Sequence, residues 1–192
     1  MSKLVYIVCG LDRLGKSTLI QGIMDRLGYF QVIHFSKPPL LNVYSNTESV
    51  EGVPDKSLQA YHAQSESFRN AMILANSGGR IIFDRAWLGE QVYANMYRGY
   101  DGGYVFDLEK RFHLDQNYHI RLILLTEDFS VSKHFLDDGQ SLGPIEKREE
   151  EQTRFLEAFK LSCIPDKRII SVTDKALGGF RSKEDILAEA LG

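Results

Sequence analysis

Cysteine is nearly absent: Cys9 and Cys163 are the only two in 192 residues. Two are too few for a disulfide framework or for a zinc site built on thiolates. An excess of basic residues is also missing, since 23 Lys and Arg face 26 Asp and Glu, for a formal net charge of -3. That balance argues against a broad basic face that grips nucleic acid. A local basic cleft stays open, because a cleft focuses charge whatever the total. The apolar N-terminal run from Leu4 to Cys9 is short, is broken by Tyr6 and ends at Gly10. Neither a secretory leader nor a membrane span is expected there. None of the five histidines stands at metal-ligand spacing from a cysteine or a carboxylate, so no structural metal is expected. Cys9, inside the first apolar run, reads as a small core residue.

What is present is an ordinary globular composition, 43% hydrophobic and 26% charged. The length suits one compact domain over residues 1–192, and a cytoplasmic location is expected. Short apolar runs alternate with longer helical stretches. Leu4–Cys9, Phe30–Phe35, Arg80–Phe83, His119–Leu125 and Arg168–Val172 read as strands. Helices are predicted over 16–27, 57–76, 87–97, 106–114, 145–161 and 183–191. In the first of these Leu19, Ile20, Ile23, Met24 and Leu27 share a face, and Gly28 marks its C-terminal stop. Strands alternating with helices imply βαβ units and a doubly wound five-stranded parallel sheet. Three irregular stretches interrupt the pattern, at 36–55, 99–104 and 137–144. Long loops in compact domains are more often functional than incidental.

Gly10-Leu11-Asp12-Arg13-Leu14-Gly15-Lys16-Ser17 fits G-x-x-x-x-G-K-[ST] at every fixed position. Glycines allow close backbone approach, so loop N–H groups can converge on phosphate oxygens, and the following helix adds its positive end. Lys16 is expected to reach the β- and γ-phosphates of a nucleotide, and the Ser17 hydroxyl to bind Mg²⁺. The loop follows a predicted buried strand and opens an amphipathic helix, the context the motif requires. A second element, Ile82-Phe83-Asp84-Arg85, closes the third strand. Ligands of open parallel sheets bind beyond the carboxyl ends of strands, so Asp84 and Arg85 are expected to face the same crevice as the loop.

Extended by Thr18, the loop Gly10–Thr18 resembles the G-x-D-R-x-G-K-S-T loop of thymidylate kinases, in the form with an arginine inside the loop. The resemblance implies a P-loop nucleoside and nucleotide kinase fold using ATP and Mg²⁺. It places Gly10, Leu11, Asp12, Arg13, Leu14, Gly15, Lys16, Ser17 and Thr18 around the donor, with Asp12 touching the acceptor sugar and Arg13 neutralising the moving phosphoryl. Asp84-Arg85 is similar to the D-R pair of the same family, which gives Asp84 to Mg²⁺ and the transferred group and Arg85 to the acceptor. Arg13, Lys16, Asp84 and Arg85 are therefore the expected catalytic set. Phe68-Arg69 lies on the helix where the family keeps a base-stacking Phe and an acceptor Arg, although core packing is the commoner fate of a helical Phe. The lid of the family would fall near 137–151, with Lys147 and Arg148 as lid candidates. A homodimer is also compatible with the family.

The acceptor side departs from the family. Ala86-Trp87 follows the D-R pair in place of an aromatic residue. His34-Phe35-Ser36-Lys37-Pro38-Pro39 replaces Phe-Pro-x-Arg, so that Lys37 offers a flexible point charge rather than a fork. Trp87–Tyr93 and Tyr97–Tyr100 look instead like segments of phage-encoded P-loop kinases, a group that includes the 5-hydroxymethyluracil DNA kinases. Two acceptors follow: a pyrimidine deoxynucleoside monophosphate in phage nucleotide metabolism, or a 5-hydroxymethyl group on uracil within phage DNA, in the host cytoplasm. A phosphate acceptor needs cationic clamps, for which Arg13, Lys37, Arg69, Arg85 and Arg98 are candidates. A hydroxyl acceptor benefits from a carboxylate base, for which Asp12, Asp84 and Glu90 are candidates. Tyr93, Tyr97, Tyr100 and Tyr104 recur at helical intervals, as a packed stripe or a stacking platform for a base. A regulatory ATPase without an acceptor is the third reading, and the Asp84-Arg85 pair weighs against it.

Overall fold

The computed structural model describes residues 3–35, 56–115, 118–132 and 145–192. The predicted loop at 36–55, with Lys37, and the predicted turn at 137–144 lie outside the described residues.

Five strands, β1 (Lys3–Gly10), β2 (Gln31–His34), β3 (Ile81–Asp84), β4 (Tyr118–Thr126) and β5 (Asp166–Ser171), form one parallel sheet in the order β2-β3-β1-β4-β5. This is the α/β sheet that the alternation of runs predicts. The central position of β1 follows from its sequence, because Val5 to Cys9 are all buried and an unbroken apolar run tolerates cover on both faces. β2 lies at an edge, and Gln31, Val32 and His34 are accordingly exposed. Among the described residues, seven α-helices flank the sheet: α1 (Lys16–Leu27), α2 (Lys56–Asn76), α3 (Trp87–Tyr93), α4 (Tyr104–Asp115), α5 (Phe129–Ser132), α6 (Ile145–Leu161) and α7 (Lys183–Leu191). Helix α1 buries Leu19, Ile20 and Ile23 and ends where Gly28, at φ 91°, donates its N–H to the Met24 carbonyl (2.8 Å).

Two departures from the predicted elements bear on the site. The helix expected over 87–97 is α-helical only to Tyr93. Residues Ala94–Arg98 form a π-helical turn, closed by Gly99 at φ 68°, whose N–H reaches the Ala94 carbonyl. Residue types alone do not announce this widening; the pairing of Arg98 with Glu90 accompanies it, as described below. The second departure is a two-residue antiparallel pair, β6 (Thr173–Asp174) with β7 (Gly179–Phe180), which is too short to leave a periodicity in the sequence.

One buried carboxylate ties three elements together near the site. Glu109, 2% exposed, accepts from Trp87 Nε1 (2.6 Å), from Ser162 Oγ (2.8 Å) and from the Cys163 N–H. A carboxylate with three donors is the form in which such burial is tolerated. The contact ties α3 to α4 and to the turn after α6. It fixes the base of the helix that carries Gly89, Glu90 and Tyr93. Cys9 is 1% exposed, and burial pushes its thiol up to about 12.

Candidate active site

The loop between β1 and α1 is anchored by Leu11 and Leu14, 2% and 4% exposed, while Arg13, Gly15, Ser17 and Thr18 face solvent. The apolar positions pin the loop, so the glycines and polar residues between them are presented outward. Gly15 takes φ 79° with open space where a Cβ would stand. Helix α1 begins without a side-chain cap and with no acidic residue in its first turn, whereas α7 is capped by Ser182 Oγ accepting from the Asp185 N–H (3.1 Å). The first N–H groups of α1 are thus left for an anion. Lys16 is 6% exposed, and its Nζ donates to the carbonyls of Gly10 (3.0 Å) and Leu11 (2.5 Å). Burial, reinforced by the nearby Arg85 guanidinium, holds the Lys16 ammonium below the ordinary lysine range, against the pull of Asp12 and Asp84.

Parallel pairing of β1 with β3 sets Val8 opposite Asp84, and the Arg85 N–H extends that ladder to the Val8 carbonyl (3.0 Å). The strand-end pair therefore stands beside the loop. Arg85 Nη2 forms an ion pair with Asp12, whose carboxylate also lies 3.6 Å from Lys16 Nζ. Asp84 Oδ2 lies 3.0 Å from His34 Nδ1 at the end of β2, while Asp84 Oδ1 is buried with no hydrogen-bond partner. An orphaned, buried carboxylate oxygen beside the exposed Ser17 hydroxyl's helix suits a hard divalent cation, which takes oxygen ligands. Among the described residues, the non-glycine positions with positive φ are Arg13 (69°) and Arg85 (59°). Such backbone costs about 1–3 kcal/mol each and gathers at functional sites.

Three cavities adjoin these groups. A wide cleft of about 1040 Å³ runs from Arg13 and Thr18 between α1 and α7, past Gly22 and Leu187, to Phe180 and Arg181. A smaller space of about 260 Å³ lies over Asp12 and Arg13, bounded by Tyr93, Tyr97, Lys147 and Glu151. A third, about 210 Å³, is enclosed by His34, Phe35, Gln64, Arg85, Glu90 and Arg98. Within it Glu90, 6% exposed, pairs with Arg98 and accepts from the hydroxyls of Tyr100 (2.5 Å) and Tyr104 (3.1 Å).

The structure revises several expectations. Phe68 is 1% exposed and is stacked among Phe35, Phe83 and Trp87, with centroids 4.8, 5.6 and 4.6 Å away, so it is a core residue with no open face. Its neighbour Arg69 is exposed on another side of α2 and does not line the third cavity. The ring that does is Phe35. Glu90 is saturated by Arg98 and two tyrosines, which makes it an anchor rather than an available base. The four tyrosines are not one stripe, because the π turn splits them. Tyr93 and Tyr97 border the loop cavity, with the Tyr97 hydroxyl on Glu151; Tyr100 and Tyr104 hold Glu90. Arg148 is committed to the buried Glu127 carboxylate (2.6 Å), whereas Lys147 is exposed. Sequence reasoning passed over Gln64 and His34. Gln64 carries no motif, and His34 gave only its place at a strand end.

Loop and sheet together make a parallel α/β fold with a P-loop after its first strand. No protein-family model matches the sequence, and no curated protein matches it. Among solved structures, the chain is similar to the YorR protein of Bacillus subtilis, solved in complex with phosphorylated GDP: TM-score 0.62 and 16% identity over 97% of this chain and 93% of that one. It is also similar to thymidylate kinase from Candida albicans, with TM-score 0.60 and 19% identity over 99% and 89% of the two chains. Thymidylate kinase from Ehrlichia chaffeensis gives TM-score 0.61 and 13% identity over 100% and 98%. At these identities the likeness is one of fold. No described helix is long and apolar enough to cross a membrane.

Proposed function

We propose that this chain is an Mg²⁺- and ATP-dependent kinase of thymidylate-kinase type, which transfers a phosphoryl group to a pyrimidine deoxynucleotide in phage nucleotide metabolism, in the cytoplasm of the host. The observation that carries the reading is the convergence of Lys16, Asp12, Arg85 and Asp84 at the carboxyl ends of adjacent parallel strands, beside an uncapped helix N-terminus. In this reading the Gly10–Thr18 loop holds the donor phosphates, and the wide cleft beside Thr18 and Phe180 receives the donor nucleoside. Arg13 and Lys16 balance charge on the transferring group, and Arg85 orients the acceptor. Ser17 and Asp84 would hold Mg²⁺, which supplies charge neutralisation on the phosphates when bound. Binding a nucleotide requires Lys16 Nζ to leave the loop carbonyls it now occupies. Catalysis then rests on positioning and electrostatics, as is general for phosphoryl transfer.

One observation favours a second acceptor. Each arginine of the small cavity is already balanced, Arg85 by Asp12 and Arg98 by Glu90. A dianionic phosphate needs uncompensated cations; a neutral hydroxyl does not. That supports phosphorylation of 5-hydroxymethyl-deoxyuridine in DNA. Radiolabelled ATP incubated with dTMP, with the other deoxynucleoside monophosphates and with hydroxymethyluracil-containing DNA separates the two. Label in dTMP is the expected result of the first reading, and label in the polymer alone replaces it with the second. ATP hydrolysis that no acceptor stimulates overturns both.

A further inference from the structure

The walls of the wide cleft beside the loop determine which features of a bound nucleoside it can distinguish. At about 1040 Å³ the cleft lies at the upper end of ligand pockets, which run from about 300 to 1,000 Å³. Its size alone therefore excludes neither a purine nor a pyrimidine. One wall is the β6–β7 pair, in which Thr173 stands opposite Phe180 and the Arg181 N–H donates to the Val172 carbonyl (2.9 Å). Thr173 is buried, and its Oγ1 accepts from the Asp128 N–H (2.7 Å). The backbone that carries Phe180 is thus pinned to the segment that follows β4. Phe180 is 45% exposed and borders the cleft together with the apolar side chains of Val172 and Ile186.

The polar lining is of two kinds. Some side chains are engaged within the protein: Gln21 Nε2 donates to Asp25 (2.7 Å), and Arg181 Nη1 donates to the Ser171 carbonyl (3.0 Å) and to Glu189 (2.7 Å). Others, Arg26, Lys183 and Glu184, are exposed at the rim on long rotatable stems. Neither kind offers a base edge a fixed and unspent donor or acceptor. Stacking and hydrogen bonding differ in what they select. Every base has a π face, so an aromatic wall tolerates any of them. Rejection by about 10⁴-fold or more comes instead from buried polar groups that the wrong ligand leaves unpaired.

We infer that the donor cleft accepts nucleoside triphosphates of any base, purine or pyrimidine, by stacking the base on Phe180 without reading its edge. This rests on the kinase reading of the preceding section and widens its donor from ATP to nucleoside triphosphates as a class. Selectivity of the reaction then falls on the acceptor side.

Binding of ADP, GDP, CDP and UDP, each with Mg²⁺, is measured by calorimetry beside pyrophosphate, which carries no base. The four dissociation constants of the wild type are expected to lie within about tenfold of one another. Phe180→Ala is expected to weaken all four by about 5–150-fold, the worth of one base–aromatic stack, and not to weaken pyrophosphate. A loosened phosphate loop would weaken pyrophosphate as well, so that readout separates stacking from a structural role. Phe180→Leu, which keeps apolar bulk without the ring, serves if the alanine variant does not fold. A preference of about 100-fold or more for one base overturns the inference. So does nucleotide binding that is unchanged in the variants, or a loss that pyrophosphate shares. Phosphoryl transfer from ATP with none from GTP, CTP or UTP sinks this inference and spares the kinase reading. Base-tolerant, Phe180-dependent binding without transfer to any acceptor does the reverse.

Discussion

Lys16 has two roles that pull in opposite directions. Its ammonium is buried and bonded to the carbonyls of Gly10 and Leu11, so the loop is held shut on itself by the same group that the proposed chemistry sends to phosphate. Burial and Arg85 depress its proton affinity, which signals a charge poorly solvated until an anion arrives. Removing it should therefore spare the fold and remove the activity. For Lys16→Met we expect turnover of ATP to fall by about 10²–10³-fold, with a thermal midpoint within about 2 °C of wild type. Phosphate-transfer assays and a melting curve read the two effects separately, and an active variant would refute the proposed function. The strain at Arg13 and Arg85 belongs to this scale as well. Left-handed backbone at two arginines, where glycine would relax it, is retained beside the proposed reaction site.

Elements are what bring these residues together. The C-terminal end of β1 lies against β4 so closely that a Cβ on Gly10 would stand 2.5 Å from the Leu125 carbonyl oxygen, and Gly10 takes φ 136°. The loop can leave the sheet there only because no side chain intervenes. Gly10→Ala is expected to cost about 2–4 kcal/mol in urea unfolding, through backbone clash and strained φ together. ATP turnover should fall with it, since the loop hangs from that residue. A variant as stable as wild type would show that β1 and β4 separate more readily than the packing implies. The π turn after α3 acts at the same scale. By widening the helix it accompanies Arg98 on Glu90 and the split between Tyr93 and Tyr97 on one side and Tyr100 and Tyr104 on the other. Cavity and anchor are products of that irregularity.

Across the whole molecule, the far edge of the sheet is held by a charge cluster remote from the site. Asp166 on β5 accepts from Arg121 Nε (2.7 Å) and meets His119 Nε2 (2.9 Å), both on β4, while Arg121 Nη1 also donates to the Ala190 and Leu191 carbonyls at the end of α7. Burial by itself would raise the Asp166 carboxyl; Arg121 and His119 outweigh it and hold it below the ordinary carboxylate range. A carboxyl depressed on folding contributes stability that is fully present above its unfolded value, near pH 4, and is lost as the pH falls through the lower folded value. Asp166→Asn is expected to cost about 1–3 kcal/mol at pH 7, with the difference from wild type closing below about pH 4. Urea midpoints measured from pH 7 to pH 3 check this; a gap that persists unchanged into acid would place the stabilisation elsewhere.

The amino-acid sequence by itself determined the parallel α/β sheet, because unbroken apolar runs such as Val5–Cys9 can only be covered on both faces, and helical periodicity between such runs leaves little choice of architecture. It also determined the Gly10–Thr18 loop, where local residue types dictate local backbone. What it did not determine are contacts between distant elements. Phe68 and Phe35 are both plausible stacking rings on the page of a sequence; only the packing of α2 against β3 and α3 closes the first into the core and leaves the second at the cavity. Glu90 reads as a free base until the π turn folds Arg98, Tyr100 and Tyr104 back onto it. Gln64 carries no sequence signal at all, since an amide on a mixed helical face is unremarkable until its neighbours are known. Local propensity is written in neighbouring residues, whereas burial, saturation of hydrogen bonds and the balance of charge depend on groups tens of residues apart. The tertiary structure alone decides those.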